Sequence, residues 1–91
     1  MPYKLRYSRR FIKAFKGIPV PEQKRIYRAL DKLKEDPFPK GKGVKHIKGP
    51  SDEFWRLRVG DYRILYRVEG NNADVEDLVH RSELERVLRR M

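Results

Sequence analysis

Arginines at positions 56, 58, 63, 67 and 81, preceded by Lys45 and Lys48 and joined by His80, are the side chains of this chain best suited to chemistry on an anion. A guanidinium offers a planar fork that donates parallel hydrogen bonds to a phosphate. Spacing adds to residue type. In Phe54-Trp55-Arg56-Leu57-Arg58-Val59, strand alternation puts Arg56 and Arg58 on one face and Trp55, Leu57 and Val59 on the other. In Tyr62 to Val68 the even positions are aromatic or β-branched, so Arg63 and Arg67 share the opposite face with Leu65. If both apolar rows face a common core, all four arginines converge on the other side of the sheet. Like charges opposite one another destabilise a sheet. A charged strand face often serves only to stay wet or to guard an edge. Here the lysines before the strands and His80-Arg81 after the third favour anion recognition.

The whole chain has the same bias. Its 91 residues hold 23 Lys plus Arg against 13 Asp plus Glu, a formal net charge of +10. Such an excess suits a phosphate-rich partner, an acidic protein or an anionic membrane surface. Heavy use of both charge signs also fits a thermophile's surface, which accounts for many charges but not for their inequality. With no cysteine, thiolate nucleophiles and disulfides are out, and two histidines without cysteine give no metal site or other cofactor. The N-terminal residues are charged throughout and carry no apolar run of signal or membrane-spanning length, so the expectation is a cytoplasmic protein with no membrane partner.

The elements that must position these residues follow from periodicity. Tyr3 to Tyr7 alternates as a strand. Ser8 suits an N-cap for a short helix with Phe11, Ile12 and Phe15 on one stripe and Gly17 at its end. Pro19 and Pro21 interrupt, and Glu22 to Glu35 repeats Ile26, Leu30 and Leu33 at helical intervals. Asp36-Pro37-Phe38-Pro39 stops that helix. A basic loop with Lys40, Lys42, Lys45, His46 and Lys48 is expected next, punctuated by Gly41, Gly43, Gly49 and Pro50. Phe54 to Val59, Tyr62 to Glu69 and Ala73 to His80 then read as three antiparallel strands turning at Gly60-Asp61 and Gly70-Asn71-Asn72. Glu83 to Arg90 suits a final short helix capped by Ser82. The expectation is a single α+β domain over residues 1–91, with an N-terminal strand, a helical hairpin, a three-stranded antiparallel meander and a C-terminal helix, the helices on one face of the sheet.

Val44-Lys45-His46-Ile47-Lys48-Gly49, the run Trp55-Arg56-Leu57-Arg58-Val59-Gly60-Asp61-Tyr62-Arg63 and the closing His80-Arg81 together resemble the RelE/ParE toxin superfamily, closer to the RelE branch with its archaeal members. The resemblance spans essentially the whole chain. It implies a toxin of a type II toxin-antitoxin system that enters the ribosomal A site, cleaves mRNA and so inhibits translation, held inactive by a RelB-like antitoxin. It also implies positions. Arg56, Arg58, Arg63 and Arg81 match the basic residues around the scissile phosphate, as does Lys48, with Lys45 in the same cluster. Arg63 and Arg81 would stabilise the transition state, Arg56 and Arg58 would hold phosphate, and Lys45 and Lys48 would dock RNA, with Arg67 and His80 as further RNA contacts. Bacterial members carry a functional tyrosine soon after the His-Arg pair, whereas Ser82 to Arg90 contains none.

That gap matters because metal-free RNA cleavage has to move two protons. Only His46, His80 or a tyrosine could titrate usefully, an arginine being a poor base. A lone histidine at a strand end is more often structural than a proton carrier. Trp55, Tyr62 and Tyr66 are read as core, and Asp74, Glu76 and Asp77 as a solvated strand edge or as counter-charges. A chain that relies on the ribosome to hold the message avoids part of the difficulty through orientation. The other functions to weigh are a ParE-like DNA gyrase inhibitor and a non-catalytic RNA-binding module.

Overall fold

A computed structural model describes residues 3–37, 44–48 and 53–89; Lys40, Lys42, Gly41, Gly43, Gly49, Pro50 and the expected helix end at Arg90 lie outside the described residues. The elements run β1 (Lys4–Tyr7), α1 (Arg9–Lys16), α2 (Val20–Glu35), β2 (Val44–Lys48), β3 (Glu53–Val59), β4 (Tyr62–Glu69), β5 (Asn72–His80), a 3-10 turn (Arg81–Glu83) and α3 (Leu84–Arg89). The sheet has five strands in the order β1-β5-β4-β3-β2. β1 pairs parallel with β5, and every other pairing is antiparallel. The expected α+β order is observed, with one strand more than the sequence suggested. Val44–Lys48, read as loop, pairs with β3 from Val44 opposite Leu57 to Lys48 opposite Glu53. Its own composition is mostly polar and gives no apolar alternation, so the ladder to β3 makes it a strand.

Local signals account for the hairpin. The Ser8 hydroxyl accepts from the Phe11 N–H, closing the first turn of α1. Phe11 stacks between Tyr7 and Phe15 at 5.4 and 5.9 Å. Pro19 precedes α2 and Pro21 falls within its first turn, where a missing N–H costs nothing. Gln23 ties the helices together by donating to the Phe15 carbonyl at 2.9 Å. Ile26, Leu30 and Leu33 then join Phe11, Ile18, Ile64, Tyr66, Val75 and Leu78 in the main core, with Trp55 and Tyr62 packed at its margin. The buried Tyr66 hydroxyl donates to the Pro37 carbonyl at 2.7 Å, which anchors the chain leaving α2 to the middle of the sheet.

The opposite sheet face is not uncovered, which corrects the expectation that all helices lie on one side. Leu65 and Val79 point away from the main core and pack with Leu84 and Leu88 of α3 in a second, smaller cluster. A register shift in the β4–β5 ladder between Leu65 and Tyr66 lets Asp77 pair with Leu65 and Val75 with Tyr66. The 3-10 turn that leads into α3 is capped by His80, whose ring nitrogen Nδ1 accepts from the Ser82 N–H at 3.2 Å. No helix among the described residues is long and apolar enough to cross a membrane.

Candidate functional site

The β3–β4 hairpin brings Arg58 directly opposite Arg63, and places Arg56 opposite Leu65, two positions further along the same face. Gly60 makes the turn possible: its φ of 58° is the left-handed value that a two-residue hairpin needs at its first central position. Arg81 reaches the same end of the sheet because its N–H donates to the Asp61 carbonyl at 2.7 Å. Its guanidinium stands 3.6 Å from the Asp61 carboxylate, both side chains largely in solvent. Sequence reasoning used Asp61 only as a turn residue; its place next to the end of the third strand was the available signal for this second role.

Arg63 is the centre of the group. Its guanidinium donates to the carbonyls of Gly60 at 3.1 Å and Tyr62 at 2.9 Å, which fixes the side chain over the turn. Burial, followed by the charges of Arg58, Arg56 and Arg81, pushes its pKa below the ordinary arginine value, with Asp61 pulling weakly the other way. Four cations thus crowd one end of the face with, among the described residues, a single exposed carboxylate beside them. Holding them together costs free energy, and a phosphate placed among them would relieve it.

The remaining candidates separate from this group. Arg67 lies on the same face toward its other end, where its guanidinium meets the Glu76 carboxylate at 3.1 Å and sits 5.6 Å from the centre of the Phe54 ring. Asp74, beside it, is clasped by Arg6 through two hydrogen bonds. The acidic residues of β5 are therefore counter-charges on an interior strand, and Asp77 is buried with its carboxylate accepting from the Leu78 N–H. His80 pairs with Tyr62 and shares its face, the one that carries α1 and α2. The two rings meet edge to face at 5.6 Å. A histidine whose Nδ1 accepts from a backbone N–H carries its proton on Nε2 when neutral, and it stands on the other side of the sheet from Arg58 and Arg63. Lys45 and Lys48 lie in β2 opposite Arg56 and Glu53 in register; their side chains are outside the described set.

A sheet of this order, covered by a helical hairpin and ending in a cationic cluster at the β3–β4 turn, defines a RelE-like toxin fold. The chain belongs to the RelE/ParE family of type II toxin-antitoxin toxins: residues 5–85 match the family described as the ParE toxin of the type II toxin-antitoxin system parDE. It is 35% identical over 69 residues to a protein of Methanocaldococcus jannaschii that bears the name toxin RelE1, a match covering 75% of this chain and 76% of that one. Among solved structures it resembles the archaeal RelE-RelB complex from Pyrococcus horikoshii OT3, with a TM-score of 0.77, 28% identity and coverage of 89% of this chain and 97% of the other. The RelB-RelE antitoxin-toxin complex from Methanococcus jannaschii matches with a TM-score of 0.72 at 26% identity, covering 90% and 96%.

Proposed function

We propose that this toxin cleaves mRNA on the ribosome, within the A site, and that a RelB-like antitoxin holds it inactive in the cytoplasm. The observation that carries the reading is the cluster of Arg56, Arg58, Arg63 and Arg81 around the β3–β4 turn, where burial and then the neighbouring charges lower the pKa of Arg63. In the reaction the ribose 2′-oxygen bonds to the adjacent phosphorus and the 5′-oxygen leaves, giving a 2′,3′-cyclic phosphate and a 5′-hydroxyl. The phosphorane carries extra negative charge on the way. Arg63 and Arg81 meet that charge, and Arg56 and Arg58 hold the ground-state phosphate.

Proton transfer is the weak part of the site. His80 occupies the other sheet face and Ser82 to Arg90 contains no tyrosine. Orientation by the ribosome therefore supplies much of the rate, and free RNA is cut slowly if at all. The net charge of +10 calls for an acidic antitoxin, and the named complexes of archaeal relatives support a RelB-like one.

Added to a translation extract, the protein truncates message in register with codons, and Arg63→Ala or Arg81→Ala removes the truncation while circular dichroism stays native. The match to the ParE description favours one other reading, inhibition of DNA gyrase without cleavage. Intact message together with blocked DNA supercoiling would establish that reading and overturn ours.

A further inference from the structure

Behind the arginine cluster, on the face that carries α1 and α2, a cleft of about 250 Å³ opens between the first turns of α2 and the β3–β4 turn. Glu22 and Arg25 line it from the helix, Gly60 and Asp61 from the turn, and Tyr62 and His80 from the sheet. The rings of Tyr62 and His80 stand at 88° to one another, so one presents a face where the other presents an edge. The Arg25 guanidinium comes so close to the turn that a Cβ on residue 60 would sit 3.3 Å from its Nη1. Glycine at 60 thus serves both the positive φ of the turn and the approach of Arg25. Among the described residues Arg25 has no ion pair.

We infer that this cleft is a nucleobase subsite, taking one unstacked base of the RNA whose phosphate lies on the arginine face. The inference rests on reading that face as an RNA site. Its chemistry excludes a bare anion, because Glu22 and Asp61 oppose one. It suits a flat, neutral ring whose edge both donates and accepts hydrogen bonds. The aromatic wall takes the face of the base; the Glu22 carboxylate accepts from its N–H groups; Arg25 donates to its ring or carbonyl acceptors. Position supports the pairing. The same turn whose carbonyls at Gly60 and Tyr62 hold Arg63 on one face forms the floor of the cleft on the other. A strand crossing Asp61 would place its phosphate at Arg63 and its next base at Tyr62 and His80.

The test uses short RNAs 2′-O-methylated throughout, which bind but cannot be cut because the 2′-oxygen is blocked, and a set in which each position in turn lacks its base. Removing the base at one position weakens binding on the order of tenfold, as loss of a stacked base does, while removal elsewhere changes little. Amide resonances of Glu22, Arg25 and His80, on the cleft side of the turn, shift with the intact RNA and much less with that abasic one. In Arg25→Ala the difference between the two RNAs disappears. Equal affinity across the whole abasic set, or no binding of any RNA, overturns the subsite. The cleavage reading fails separately: an extract whose message stays intact removes it, and base-dependent binding then still stands. The scan on the unaltered protein decides the matter even if Arg25→Ala loses its fold.

Discussion

The arginine-bearing face of the sheet has two ends that differ in one respect. Toward Gly70, Arg67 meets Glu76 and Arg6 clasps Asp74, so each guanidinium has a carboxylate in reach. Toward Gly60, Arg56, Arg58, Arg63 and Arg81 have, among the described residues, only Asp61 as a nearby carboxylate, and burial together with the other three charges lowers the pKa of Arg63. Leu65, buried under Leu84 and Val79, divides the two ends. Charges paired within the protein hold strands together; charges left together with little compensation wait for an outside partner. The difference predicts which arginine can be removed at a cost to function and which at a cost to the fold.

The largest expected effect is on catalysis. Arg63→Ala lowers ribosome-dependent cleavage roughly 10²- to 10³-fold, the loss typical of one preorganised donor to a developing oxyanion. Its melting temperature changes little, because relief of the repulsion from Arg58, Arg56 and Arg81 offsets the loss of the hydrogen bonds to the Gly60 and Tyr62 carbonyls. Arg67→Ala does the reverse, leaving cleavage within about twofold and weakening the fold modestly, as partly exposed ion pairs do. Cleavage rate and thermal melting measured on both variants check the contrast, and equal losses of activity would break it.

Next in size is the divider. Leu84→Ala empties part of the small cluster over Leu65 and costs about 2 kcal/mol, at the low end for a buried leucine because α3 can shift to fill the space. Urea unfolding reads the loss. Backbone amides of α3 lose protection from hydrogen exchange while those of α2, in the main core, keep it.

The same division explains how far the sequence could be read. Strand alternation placed Arg56, Arg58 and Arg63 on one face because period-two patterning is strong wherever the other face packs on a core, as Ile64 and Tyr66 do fully and Trp55 and Leu57 in part. It could not separate Arg67 from them. Glu76 comes within reach of Arg67 through the irregular register of β5 against β4, and a register shift leaves no mark in the spacing of one strand. Val44–Lys48 was missed for a related reason: a polar edge strand is set by its neighbour's hydrogen bonds, not by its own pattern. α3 was foreseen as a helix and placed on the wrong face, although Leu65 and Val79, apolar among charged neighbours, marked where it docks. His80 looked like a companion of Arg81. One residue's step along the backbone put the two on different sides of the turn, where His80 caps and Arg81 points to Asp61.

Salt sharpens the comparison further. Binding of an uncleavable RNA weakens with added salt because phosphate contacts release counterions, and each contact contributes a slope of about one in log affinity against log salt. Arg58→Ala lowers that slope by about one. Arg67→Ala leaves it unchanged, since its charge is engaged by Glu76. Fluorescence titrations at several salt concentrations measure both, and an equal fall in slope would mean that the two ends of the face bind RNA alike.

The smallest effect isolates the paired end by pH. Hydrogen bonding from Arg6, reinforced by the charges of Arg6 and Arg67 and opposed by burial, holds the Asp74 carboxyl below its ordinary value of 3.8. A carboxyl depressed in the folded state stabilises the fold above its unfolded pKa, and that contribution is lost as pH falls through the folded value. Asp74→Asn removes it at any pH. The variant therefore melts below the unaltered protein from pH 5 to 8, and the gap closes under acid conditions once Asp74 itself is protonated. Because Arg6 and Asp74 are opposite one another in the β1–β5 register, the amides of β1 exchange faster in the variant at neutral pH while those of β3 do not. Cleavage by Asp74→Asn stays at the unaltered rate, for this carboxylate serves the end of the sheet whose charges are already matched.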